Sequence, residues 1–219
     1  MLAVIWKDIM LESRSRETIM ALFVLGVLVL LVFNFSIDVT PANIRRIAPG
    51  VLWIAIVFSA MLGLGRTFVI ERENGCMTAL LLAPIDRGAL FAAKLTVNVL
   101  LLLVFELLLM PVFVLFFDVD LSGTVPALAA VLVAGTVGLA ATGTLFALAA
   151  LGSRARELML PLLVLPLQIP LLIAAVKATD LVLRGEPLTA LGAWGQLLVA
   201  FDVLFVTVGW LAFEFVSVD

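Results

Sequence analysis

The sequence predicts an all-α integral membrane protein with six transmembrane helices, and three observations carry that prediction. Hydrophobic residues make up 64% of the chain and charged residues only 13%, against roughly 45–50% and 25% in soluble domains. Mean hydropathy is +1.29. Six separate stretches each reach the ~20 mostly apolar residues that a helix needs to cross the ~30 Å hydrocarbon core. The strand-like alternation of a membrane barrel is absent. Backbone polar groups must therefore be satisfied within each segment, which makes helices the spanning form.

In chain order the spans are predicted at 18–37, 50–70, 94–117, 126–151, 158–178 and 195–216, in one transmembrane domain over 1–219 without an internal repeat. Ahead of them, residues 1–17 place Leu2, Ile5, Trp6 and Ile9 at i, i+3, i+4 and i+7, one helical face. This predicts an amphipathic helix lying in the inner leaflet, with Trp6 at headgroup depth. The first span holds 20 uncharged residues, longer than the roughly 7–15-residue apolar core of a signal peptide, and reads as a retained helix.

Positive charge orients the spans. Nine of the 13 Lys and Arg residues (Lys7, Arg14, Arg16, Arg66, Arg72, Arg87, Lys94, Arg154, Arg156) fall on one side, and four (Arg45, Arg46, Lys177, Arg184) on the other. The richer side is the cytoplasm, so both termini are expected inside. Within the spans, Glu106 and Asp202 are costly charges, about 2.5–3.5 kcal/mol each at a bilayer centre on insertion scales, so they should face the protein interior. For Glu106 the favoured reading is a hydrogen-bonded acid that packs helices; a switch or partner contact is the other. Pro161, Pro166 and Pro170, with Gln168 beside them, predict a kinked and movable fifth span. Ala134, Gly138 and Thr142 give the small-xxx-small spacing of a close helix contact.

The segment 71–94 joins spans two and three on the predicted cytoplasmic side. Charges cluster at its ends, with Glu71, Arg72 and Glu73 in front and Asp86, Arg87 and Lys94 behind. Between them Met77, Leu80 and Leu81 share a helical face, Asn74-Gly75 is a turn signal, and Pro84 ends the short helix. Asp86-Arg87-Gly88 is expected to turn the chain back into span three. An apolar face rimmed by charge suits a helix seated in another protein's groove, in preference to one resting on lipid.

The composition also excludes function classes. The net charge of -3 gives nucleic-acid binding no electrostatic support. No phosphate-binding G-x-x-x-x-G-K-[ST] loop is present, so ATP hydrolysis would have to be supplied by another chain. A lone cysteine, Cys76, excludes an internal disulfide and a cysteine cluster. With no histidine, neither a Ser-His-Asp set nor an H-E-x-x-H motif exists, and the chain reads as non-enzymatic.

The run RRIAPGVLWIAIVFSAMLGLGRTFVIERENGCMTALLLAP, residues 45–84, resembles the CcmB family, the heme exporter protein B subunits of the cytochrome c maturation ABC transporter. The resemblance is specific at IAPG (47–50), at Arg66 with ERENG, and at LLLAP (80–84), and extends more weakly through PLLVLPLQIPLLI (161–173) and FDVLF (201–205). It implies an ABC-2-like permease fold in the bacterial inner membrane and a homodimer carrying two ABC ATPase subunits. It further implies assembly with a heme-handling membrane protein and a heme chaperone. In that family Glu71, Arg72, Glu73, Gly75, Met77, Leu80, Leu81 and Pro84 would form the coupling loop, a lever moved by ATP-driven closure of the ATPases.

Protein heme ligands are chiefly His, Cys, Met and Tyr, and this chain has no His, no Tyr, seven Met and one Cys. Heme and ATP are therefore expected on partner subunits, with no cofactor bound directly. Arg45 and Arg46, on the outer side, suit heme propionates, an acidic partner patch, or simply a solvated turn. Two competing functions share the architecture: export of a different substrate such as a lipid or drug, and an assembly scaffold that transports nothing.

Overall fold

The computed structural model describes residues 16–36, 41–73, 87–149 and 156–216. These form six long α-helices: α1 (Arg16–Ser36), α2 (Pro41–Glu73), α3 (Arg87–Phe117), α4 (Val125–Ala149), α5 (Arg156–Leu183) and α6 (Gly192–Val216), with a short 3₁₀ turn at Leu188–Leu191 before the last. Each helix is long and apolar enough to cross a membrane, and no strand occurs among the described residues. The molecule is a multi-pass membrane protein of all-α class. The expected amphipathic helix at 1–17 falls almost wholly outside the described residues.

The helices overrun the predicted spans, because an α-helix need not stop where the hydrocarbon does. The 33 residues of α2 and 31 of α3 rise about 50 and 46 Å at 1.5 Å per residue, well beyond the ~30 Å apolar core. Two local expectations change as a result. Arg45, Arg46 and the IAPG motif lie inside α2, which starts at Pro41 and contains Pro49, rather than in a turn before it. Arg87 and Gly88 form the first turn of α3 rather than a loop. Trp210 of α6 packs where a side chain at Gly88 would stand: a Cβ there would lie 2.4 Å from the indole, so this turn of α3 accepts only glycine. The three prolines of α5 are carried in one uninterrupted helix, as membrane helices tolerate.

α4 sits at the centre, packed on α2, α3, α5 and α6, while α1 packs on α2 and α3 at the rim. Burial follows: 72% of the apolar window of α2 is enclosed by the bundle, against 22% for α1 and α6. Lipid tails are as apolar as leucine, so helix association in a bilayer depends on close packing and polar bonds more than on a hydrophobic drive. Glycines on α4 supply the packing. A Cβ at Gly135 would fall 2.0 Å from the Trp53 ring, and one at Gly143 2.3 Å from Leu64, so α2 lies directly against the α4 backbone. On the other side of the bundle, Gly26 of α1 faces Phe105 and Leu109 of α3. The Asn34 amide also donates to the Phe116 carbonyl at 2.6 Å.

Candidate functional site

Three regions carry the residues singled out in the sequence. The first is the end of the bundle where α2 and α3 are joined. Glu71, Arg72 and Glu73 form the last turn of α2, and Arg87 opens α3. Gly75, Met77, Leu80, Leu81 and Pro84, with Cys76, lie outside the described residues. Residues 74–86 thus connect the two longest helices among the described residues. Lys94, counted above with the loop charges, is instead enclosed by the bundle at 2% exposure. Its aliphatic stem suits such a site, and the residue is not left without a partner.

The second region is the interior, where α4 gathers polar side chains from its neighbours. The Thr136 hydroxyl donates to Oε1 of Glu106 on α3 at 2.5 Å, and Glu106 is 3% exposed. Two turns along the same flank, Asn98 of α3 donates to Thr144 Oγ1 at 2.8 Å. On the other flank, Gln168 of α5 donates to Thr142 Oγ1 at 2.8 Å, and that hydroxyl donates back to the Gly138 carbonyl at 2.9 Å. A Cβ on Gly138 would sit 2.7 Å from Oδ1 of Asp202 on α6, so the absence of a side chain is what lets this carboxyl reach the α4 backbone. Trp53 of α2 closes the set, its Nε1–H donating to Thr179 on α5 at 2.9 Å.

Glu106, Gln168 and Asp202 are therefore all interior-facing, as intramembrane polar groups must be, with Glu106 on the Thr136 flank of α4 and Gln168 and Asp202 both at its Gly138–Thr142 face. Each also keeps one buried oxygen without a protein partner: Glu106 Oε2, Gln168 Oε1 and Asp202 Oδ1. Pairs of this kind fix helix register and rotation in a bilayer, where a misaligned polar group has no water to turn to. Among the described residues no group of three or more His, Cys, Asp or Glu is placed to hold a metal ion. The partners Asn98, Thr136, Thr144 and Thr179 were not singled out from sequence. The Ala134-Gly138-Thr142 spacing did mark the right face of α4, and that face holds a hydrogen bond as well as a close approach.

The third region is the opposite end of the bundle. Here the exposed Arg46 of α2, the α3–α4 connection and the end of α5 surround an open cavity of about 670 Å³. Asp120 accepts from the Ser122 backbone N–H at 2.8 Å, which shapes the connection. Arg184 is forked onto Asp180 one turn earlier, at 2.9 and 3.1 Å. Of these residues only Arg46 was a candidate from sequence, because the others are distant in the chain and ordinary for loops. The side chain of Arg45 is not among those described.

Six spans and an interior knit around one central helix define a multi-pass, all-α membrane protein. The chain belongs to the CcmB family: the family's profile, described as CcmB protein, matches residues 1–216. Similar curated proteins carry the name heme exporter protein B. That of Paracoccus denitrificans is 31% identical over 192 residues, 87% of this chain and 88% of the relative. That of Bradyrhizobium diazoefficiens is 31% identical over 209 residues, 94% and 92% of the two chains. That of Haemophilus influenzae is 32% identical over 198 residues, 88% of each.

Proposed function

We propose that this chain is the membrane subunit of an ABC transporter complex for cytochrome c biogenesis. In this reading it is non-catalytic and couples ATP hydrolysis by a partner ATPase to heme delivery, or to release of a heme-loaded chaperone outside the membrane. The observation that carries the proposal is the family match over residues 1–216, together with relatives named heme exporter protein B. The nine-to-four split of positive residues supports an inner-membrane orientation with both termini and the 74–86 segment in the cytoplasm.

The coupling follows from mechanics. α2 and α3 are each longer than the ~30 Å apolar core requires, so a push on the segment between them is transmitted along two stiff helices. α4 touches both helices and also α5 and α6, which spreads the displacement through the bundle. Heme and ATP stay on partner subunits: a heme-handling membrane protein and a heme chaperone for the first, the ATPase for the second. The subunit acts as a homodimer, one ATPase under each copy.

The experiment is replacement of Leu80 and Leu81 by Asp in the intact complex. Burying unpaired charge in the ATPase groove costs several kcal/mol, so ATPase recovery with the affinity-purified subunit should fall at least about tenfold while membrane insertion is unchanged. Wild-type ATPase recovery and cytochrome c output from that variant would place the segment on lipid and overturn the coupling.

A further inference from the structure

Glycines within the bundle mark close approaches between helices, and Gly50 of α2 stands apart from them. A Cβ at Gly63, Gly135, Gly138 or Gly143 would come within 3.3 Å of a neighbouring side chain. At Gly50 it would meet no atom within 4 Å, although glycine weakens a helix interior relative to alanine. Gly50 borders an apolar hollow of about 410 Å³ between α2 and α5. Trp53, Ile54 and Phe58 wall it on one helix, Pro166 and Ile169 on the other. Trp53 is buried, whereas Ile54, Phe58 and Ile169 are 37%, 51% and 53% exposed, so the hollow opens outward from the bundle.

A cation stands at one end of this hollow. Arg46 lies one helical turn before Gly50, on the same face of α2 as Gly50, Ile54 and Phe58. It is exposed, takes part in no ion pair among the described residues, and opens the apolar window of its helix, at headgroup depth. The seam between α2 and α5 thus presents a guanidinium at the membrane surface and an apolar slot directly beneath it. That order selects the occupant. A guanidinium pairs well with a phosphate, and the slot admits hydrocarbon. A second copy docked here about a two-fold axis would pair the patch with itself, bringing its own Arg46 to the same end of the seam as a like charge.

We propose that the α2–α5 seam holds one phospholipid, its phosphate on Arg46 and one acyl chain lying past Gly50 in the hollow between Phe58 and Ile169. The tail fills the space that the missing side chain of Gly50 leaves, and so wedges α2 apart from α5 along their outward face. The inference rests on the hollow and the charge above it, and does not depend on the transporter reading. ATPase co-purification, measured on the same variants, separates failure of one from failure of the other.

The test places the full chain in phosphatidylglycerol nanodiscs carrying a trace of the same lipid with a diazirine midway along one acyl chain. After photolysis, mass spectrometry of the peptides maps the cross-links. Wild type should label at Ile54, Phe58 and Ile169 several times more than at Val24 and Leu28 of α1, which are more exposed at 64% and 55%. Gly50→Leu puts a side chain into the hollow where the chain itself offers no obstacle, and Arg46→Ala removes the cation at an exposed residue. Each should lower labelling of the seam by about tenfold, the usual scale for a lost charge-assisted hydrogen bond in the second case, and leave α1 labelling unchanged. Seam labelling no stronger than that of α1, or unchanged in both variants, overturns the proposal. A seam left unlabelled while α1 reacts means that protein covers it, which also overturns it. Loss in Gly50→Leu but not in Arg46→Ala overturns the assignment of the phosphate.

Discussion

Thr136 on α4 donates its hydroxyl hydrogen to Oε1 of Glu106 on α3, joining two helices in the middle of the bundle through a carboxyl that is 3% exposed. The acceptor is an oxygen, and a carboxamide offers one in the same place. Glu106→Gln should therefore cost under about 0.6 kcal/mol, the average for polar pairs between membrane helices. Thr136→Val removes the donor and leaves the carboxyl without its partner, which should cost about 1–2 kcal/mol. Tryptophan fluorescence during detergent-induced unfolding of the purified subunit measures both. A Glu106→Gln variant that unfolds normally but loses cytochrome c output would show that the carboxyl itself has a task.

Gly135 and Trp53 make the tightest helix contact on α4. A methyl at Gly135 would stand 2.0 Å from the indole, and Trp53 is 1% exposed with its Nε1–H held by Thr179. Gly135→Ala should destabilise the subunit by about 1–3 kcal/mol, the usual cost of overpacking. Adding Trp53→Phe should recover part of that loss, because neighbours that share a contact are not additive. Additive losses in the double variant, read from the same unfolding curves, would mean that α2 shifts bodily to make room.

How much of this was legible in the sequence differs by region. The spans were, because a 20-residue apolar run has few other uses, and the interior direction of Glu106 and Asp202 followed from the energy of charge in hydrocarbon. Helix ends were not. Nothing in composition marks where a helix stops once it leaves the bilayer, so Arg45 and Arg46, expected ahead of span two, and Arg87 and Gly88, expected in a turn, are all helical. The burial of Lys94 was hidden for a related reason, since a lysine near a span end usually snorkels to water. Pairings such as Trp53 with Thr179, 126 residues apart, need the fold before they can be seen. The cavity around Arg46 likewise collects residues from three separate segments.

Topology gives a third prediction. Cys76 is the sole thiol of the chain, and the proposed orientation puts it in the cytoplasm. A membrane-impermeant maleimide should label it in inside-out vesicles and leave it unlabelled in intact spheroplasts. Labelling from outside would reverse the orientation and with it the coupling role of residues 74–86.

The account turns on the subunit moving heme-bearing partners without touching the iron. Of the usual heme-iron ligands the chain offers only its methionines and Cys76, since it has no His and no Tyr. Leucine conserves methionine's volume at a usual cost under about 1.5 kcal/mol per site. The most direct measurement is the heme absorption spectrum of the intact complex, wild type against a subunit with every methionine after Met1 replaced by leucine and Cys76 by serine. The account predicts identical axial-ligand bands in the two complexes. Bands that shift or vanish in the substituted complex would show that this chain ligates the heme, and would contradict a purely mechanical subunit.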